Sequence, residues 1–213
     1  MAKAIIFDFW GTLVDQGVNP SPIRQIKETL GIRVSFQEYI LPFEKQFMTR
    51  DYEDLAEAFT AVCKIFGREP EKWLVERLVG LWNKNKLLAQ LYPETIQVLD
   101  ELKNKGYKLA LLCNTDFSSV ESLLEKFDLN KYFDVISLSY KTGFLKTDKE
   151  SFENVLKELG VKKADAVMVG DSLATDVKGA EAVGVKAVLI DRRDKREYKN
   201  RINTLSDLNA FLD

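Results

Sequence analysis

From residue 94 to the C-terminus, short apolar runs alternate with amphipathic stretches that often stop at glycine, and few folds accommodate that rhythm. Tyr107 to Cys113, Asp134 to Leu138, Ala166 to Val169 and Lys186 to Ile190 read as strands. Glu94 to Lys105, Ser118 to Phe127, Lys149 to Leu159, Asp176 to Val183 and Leu205 to Leu212 read as helices. Gly106, Gly160 and Gly184 stand where left-handed C-caps are wanted. Strands that are apolar along their whole length are buried on both faces, which is the habit of parallel sheets. With Lys3 to Phe7 as a further strand, the pattern predicts an α/β fold: a doubly wound, parallel five-stranded sheet with helices on both faces.

From about Ser21 to Leu88 the period changes. Apolar residues recur at three- and four-residue spacing, as in Tyr52-Leu55-Ala56-Phe59-Val62-Cys63-Phe66, with no convincing strand among them. Pro20, Pro22, Gly31, Pro42, Gly67 and Pro70 cut this segment into about four helices. The expected organisation is a core domain of residues 1–15 and 90–213, interrupted by an all-helical domain of residues 16–89. Hinges are expected near Val14–Asn19 and Lys86–Tyr92, and Phe36, Phe47, Tyr52, Phe59 and Trp73 are assigned to the core of the helical part. The charge run Asp191 to Arg201 reads as a solvated loop or frayed helix.

Composition narrows the chemistry. The chain has no histidine, which removes Ser-His-Asp and Cys-His nucleophiles, imidazole acid–base catalysis and histidine metal sites. Catalysis must run on carboxylates, lysine, hydroxyls and a hard metal held by oxygen. With 31 Lys and Arg against 33 Asp and Glu, no basic surface for nucleic acid is expected. Cys63 and Cys113 read as reduced, buried thiols. No stretch approaches the roughly 20 apolar residues of a membrane span, and the run Ala4 to Phe7 is too short for a signal peptide. A cytoplasmic protein that is a monomer or small homo-oligomer is the expectation.

Four short elements stand out. Asp8-Phe9-Trp10-Gly11-Thr12, Cys113-Asn114-Thr115 and Gly170-Asp171-Ser172 each close a predicted strand, and Lys146 precedes a helix. Open α/β sheets bind ligands outside the carboxyl ends of their strands. A carboxylate at the end of an apolar strand is costly unless it meets a cation, donors or a reaction partner, which singles out Asp8. Asp171, with Asp176 about one helical turn on, adds further acidic groups, and an oxygen-rich pocket of this kind suits Mg²⁺. The amide, hydroxyl and backbone donors of Cys113-Asn114-Thr115 suit phosphoryl oxygens.

In order, spacing and strand-end placement these elements resemble the motifs of the haloacid dehalogenase (HAD) superfamily, and the helical segment resembles its cap inserted after the first motif. The likeness extends over essentially the whole chain, through Leu91-Tyr92-Pro93-Glu94 to Leu205-Ser206-Asp207-Leu208. It implies that Asp8 is the nucleophile, and that Asp8, the Trp10 carbonyl and Asp171 hold Mg²⁺, with Asp176 a further ligand or an outer partner. It also implies that Lys146 and the Cys113–Thr115 turn bind the phosphoryl group, and that the first strand is central. The implied activity is Mg²⁺-dependent hydrolysis of small phosphorylated metabolites through an aspartyl-phosphate.

Two residues depart from the family pattern. Trp10 stands where family phosphatases carry the aspartate that protonates the leaving alcohol, and Cys113 stands where Ser or Thr is usual. An aromatic residue at the Trp10 position belongs to the dehalogenase branch, which works without metal. The rival expectation is therefore 2-haloacid dehalogenation on Asp8, with a cap arginine such as Arg24, Arg33 or Arg50 holding the carboxylate. A catalytically weak phosphate-binding regulatory module is the third.

Overall fold

In the computed structural model, which describes residues 2–212, β1 (Ala4–Phe7) leads through β2 (Val14–Asp15) into four helices. These are α1 (Pro22–Thr29), α2 (Phe36–Phe47), α3 (Leu55–Ile65) and α4 (Lys72–Leu88). The chain returns along β3 (Gln90–Leu91) and then alternates through α5 (Thr95–Asn104), β4 (Lys108–Cys113), α6 (Val120–Lys126) and β5 (Val135–Leu138). It continues with α7 (Ser139–Thr142), α8 (Lys149–Leu159), β6 (Ala166–Gly170), α9 (Lys178–Val183), β7 (Lys186–Ile190) and β8 (Arg201–Ile202). A 3₁₀ segment, Leu205–Phe211, stands where a final α-helix is expected.

The main sheet has the order β5-β4-β1-β6-β7-β8, every neighbouring pair parallel. This is the doubly wound architecture expected, with β1 central, but with six strands rather than five. The sixth, β8, is two residues long and emerges from the charge run expected to be solvated. Backbone bonds from Leu189 N to Asn200 O and from Asp191 N to Ile202 O hold it in place. A two-residue strand beside arginines carries no periodic signal, so its pairing is set only by the tertiary fold.

Alternation along the strands divides the core. Ile5, Phe7, Leu109, Leu111, Val167 and Val169 pack under α5, α6 and the C-terminal 3₁₀ segment. Ala4, Ile6, Ala110, Leu112 and Met168 face α8 and α9. Phe7 lies opposite Leu111 on one side and Val169 on the other, so β1, β4 and β6 end nearly level. Asp8, Asn114 and Asp171 follow those ends on one edge of the sheet.

The helices α1–α4 enclose a separate apolar cluster that includes Tyr39, Phe43, Phe47, Phe59, Leu78 and Trp82. The two crossings into this segment run side by side, Val14 pairing with Leu91 and Asp15 with Gln90 in an antiparallel ribbon. Phe47 and Phe59 are fully buried as expected, whereas Trp73 is 57% exposed. It occupies the first turn of α4, where Leu74, Val75 and Leu78 take the inward face. Pro42 does not break α2 but lies inside it. The helix persists because a Ser35–Glu38 capping box closes its start and three aromatic side chains bury its inner face. Among the described residues, no helix is long and apolar enough to cross a membrane.

Candidate active site

Three sequence elements meet at the level edge of the sheet. Lys146, from the loop before α8, is only 3% exposed, and its ammonium donates to Asp8 Oδ1 and, at 2.6 Å, to Asp176 Oδ1. Burial opposes a charged lysine, but the carboxylates of Asp176 and Asp8 outweigh it and hold the ammonium above its ordinary pKa. Asp176 Oδ2 in turn accepts from Ser172 N at 2.9 Å, so both of its oxygens are engaged. It is delivered there by a π-turn, Leu173–Val177, where the sequence predicts α-helix from Asp176 onward. Insertions of this kind re-aim one side chain and recur at functional sites.

Carboxylate oxygens of Asp8, Asp171 and Asp176 all lie within 4.8 Å of one another. Burial pushes the Asp8 carboxyl up to about 6, against the pull of Lys146 and with a further push from Asp176. Asp171 is raised to about 7, again by burial first and then by the charges of Asp8 and Asp176. Asp8 and Asp176 share the Lys146 ammonium, and Asp171, which feels the Arg196 guanidinium, adds a third carboxyl group that a hard divalent cation would help to neutralise. The donor set is all oxygen and suits Mg²⁺.

Backbone shape makes this convergence possible. Gly11 adopts φ +74°, and a Cβ there would stand 2.6 Å from Asp171 Oδ2. At Gly170 a Cβ would overlap the Asp176 carboxylate. The turn after Asp8 is fastened by Arg192, which donates to Gly11 O at 3.2 Å, Thr12 O at 2.6 Å and Glu94 Oε1 at 2.8 Å. The same guanidinium lies 3.3 Å over the Tyr92 ring. Part of the charge run that reads as solvated is thus a structural pin, and Asp191 within it is 1% exposed and accepts from the backbone of Lys195 and Arg196.

A cavity of about 150 Å³ opens over the cluster, lined by Asp8, Trp10, Lys146 and Asp171 together with Asn114 and Thr115. Asn114 Oδ1 accepts from Lys146 N at 2.9 Å, and Thr115 N donates to Ser139 Oγ at 2.9 Å. Cys113 is the exception among the expected site residues. It packs into the core beneath the sheet edge and does not line the cavity, and burial pushes its thiol up.

The helical segment contributes residues that sequence reasoning missed. Glu44 of α2 and Asn85 of α4 line the cavity, and Glu44 Oε2 accepts from Asn114 Nδ2 at 3.0 Å. Burial raises the Glu44 carboxyl to about 7. Asn85 is 4% exposed and its Oδ1 has no hydrogen-bond partner among the described residues. The signal available was faint: each polar residue interrupts an apolar row, Ile40-Glu44-Met48 and Leu78-Trp82-Asn85. Trp82 Nε1 bonds Asp116 Oδ2 at 3.0 Å and Ser119 Oγ at 3.2 Å, tying α4 to the loop after β4.

The chain is similar to known proteins along nearly its whole length. A model of the haloacid dehalogenase-like hydrolases matches residues 2–184. A glyceraldehyde 3-phosphate phosphatase of Methanothermobacter thermautotrophicus is 26% identical over 195 residues, covering 90% of this chain and 86% of its own. An (S)-2-haloacid dehalogenase 4A of Burkholderia cepacia is also 26% identical, over 99% of this chain and 94% of its own. Among solved structures, a HAD phosphatase from Thermococcus onnurineus superposes with a TM-score of 0.65 at 30% identity, covering 99% of this chain and 97% of that one.

Proposed function

The chain belongs to the haloacid dehalogenase-like hydrolases, and from that premise we propose that it is a Mg²⁺-dependent phosphatase of small phosphorylated metabolites. The observation that carries the reading is the convergence of the Asp8, Asp171 and Asp176 carboxylates, two of them paired with Lys146. Dehalogenation needs no such excess of negative charge, whereas a phosphate dianion approaching Asp8 needs it neutralised. The composition of the cavity points the same way. Its lining includes one cation among the described residues, Lys146, and none of Arg24, Arg33 and Arg50. The clamp that a 2-halo acid carboxylate would need is therefore missing from the cavity wall.

In this reading Asp8 attacks phosphorus in line, the bond to the leaving oxygen breaks, and an aspartyl-phosphate forms. Water then hydrolyses it and returns the carboxylate. Lys146 and the Asn114 amide face the phosphoryl oxygens, and Asp176 keeps the ammonium aimed at Asp8. Thr115, whose N–H donates to Ser139 Oγ and whose hydroxyl donates to Asp116 O, shapes the turn and has no free donor for the phosphate. Asp8, Asp171 and the Trp10 carbonyl would hold Mg²⁺, with Asp176 outside them because its oxygens are engaged elsewhere. When bound, the ion supplies the positive charge that lets a carboxylate and a phosphate dianion meet.

At about 150 Å³ the cavity is small beside the roughly 300–1,000 Å³ of drug-sized sites, which favours a small substrate. The polar wall formed by Glu44, Asn85 and Asn114 favours a hydroxylated substrate over an apolar one. The phosphatase relative from M. thermautotrophicus is named for a substrate of that size and polarity.

The test is phosphate release from a panel of small phosphate esters, run beside halide release from 2-chloropropionate. Phosphate release should fall by roughly 10²-fold or more when Mg²⁺ is chelated, and return when it is restored. Halide release that is indifferent to metal, with no phosphate release, would replace the phosphatase by the dehalogenase.

A further inference from the structure

In the proposed phosphatase one acid–base role is empty and one carboxyl group is idle. Trp10 occupies the position of the leaving-group acid and has no proton to transfer at neutral pH. Glu44 lines the same cavity as Asp8 and Lys146 while only 9% exposed. Its Oε2 is held by Asn114 Nδ2 at 3.0 Å, and Asn114 Oδ1 accepts from Lys146 N at 2.9 Å, so one amide joins the carboxyl to the phosphoryl-binding corner. The other oxygen of Glu44 takes no hydrogen bond among the described residues.

We propose that Glu44, carried on the helical segment, is the proton donor to the leaving alcohol and then the base that activates water. The inference rests on the phosphatase reading. As Asp8 bonds to phosphorus, the P–O bond to the substrate breaks and the Glu44 proton passes to the departing oxygen, giving the free alcohol. The Glu44 carboxylate then takes a proton from the water that attacks the aspartyl-phosphate. Phosphate leaves, Asp8 is returned as a carboxylate, and Glu44 is protonated again, so the cycle consumes one ester and one water.

The electrostatics agree with that task. Burial raises the Glu44 carboxyl to about 7, the Asn114 hydrogen bond and the Lys146 charge pull it down, and Asp176 and Asp8 push it up. A group poised near neutrality holds a proton before the first step and accepts one in the second. Placing the acid on the helical segment also means that the proton donor arrives only with α2 packed over the sheet edge.

The experiment compares kcat/KM of the wild type and Glu44→Gln for alkyl and aryl phosphates with Mg²⁺ present. kcat/KM covers the steps through loss of the alcohol, so it isolates the acid role. Gln keeps an oxygen for Asn114. Alkyl phosphates should lose roughly 10²-fold or more, and 4-nitrophenyl phosphate, whose leaving group departs without a proton, less than about tenfold. Glu44→Asp, which retains the titrating group, should recover part of the alkyl activity. An equal loss on every ester would make Glu44 a positioning residue for Asn114 and overturn the proposal, as would no loss at all. A wild type inert towards both ester classes would instead remove the phosphatase reading itself.

Discussion

Asp8→Asn should lower phosphate release by roughly 10⁴- to 10⁶-fold while leaving the fold intact. The size follows from removing the attacking atom itself, as distinct from a group that assists it. The preserved fold follows from the electrostatics of the site. Asp8 sits in a buried position that raises its carboxyl to about 6. A carboxyl raised above its unfolded value makes the ionised form a net cost at neutral pH, with stability falling as pH rises from the unfolded value towards the folded one. A neutral amide escapes that cost. Lys146 retains its second partner, Asp176, at 2.6 Å, so no buried ammonium is left alone. Single-turnover phosphate release, with thermal melting as control, checks both halves. Turnover within tenfold of wild type would exclude Asp8 as the nucleophile.

Lys146→Met should damage both stability and activity. The ammonium is 3% exposed and stands between two carboxylates, with Asp8 and Asp176 on either side. Removing one member of a buried ion pair leaves the other charged in a poor solvent, at about 3–5 kcal/mol. The folded-state pKa of Lys146 lies above its unfolded value, so its contribution is fully present at neutral pH and is lost only as pH rises through the folded value. The loss should therefore appear in full at pH 7, as a melting temperature lower by on the order of 10 °C. Lowering the pH should narrow the gap, because protonating Asp8 and Asp171 relieves the charge that methionine leaves unopposed. Activity should fall by roughly 10²- to 10³-fold, the usual consequence of removing one donor aimed at a charged transition state. A variant as stable and as active as the wild type would mean that Lys146 is a bystander.

The sheet was legible because β1, β4, β6 and β7 are buried on both faces along nearly their whole length and announce themselves as continuous apolar runs. The edge strand β5, with Ile136 exposed, gives a weaker signal. The carboxylate-bearing edge was legible for a related reason. A carboxylate such as Asp8 or Asp171 at the end of such a run is conspicuous, because nothing in the strand itself calls for it. Glu44 and Asn85 were not legible, since the contacts that define them are long-range. The Glu44–Asn114 bond spans 70 positions, and neither local period nor composition encodes it. Arg192 and Asp191 were hidden among like residues, and only the folded chain distinguishes a guanidinium that fastens the Gly11 turn from one that faces water. Trp73 failed in the opposite direction, because helical spacing assigns a residue to a face but not to the turn at which that face is covered.

The central claim is that Asp8 makes a covalent bond to phosphorus at a site its acidic neighbours equip for Mg²⁺. It is tested most directly by quenching wild-type enzyme in acid during turnover of a phosphate ester with Mg²⁺, then mapping the modified residue by peptide mass spectrometry. The expected result is a phosphoryl group on the peptide containing Asp8, absent when Mg²⁺ is chelated and absent in Asp8→Asn. A phosphoryl group on another side chain, or steady turnover in which Asp8 is never modified, would contradict the account.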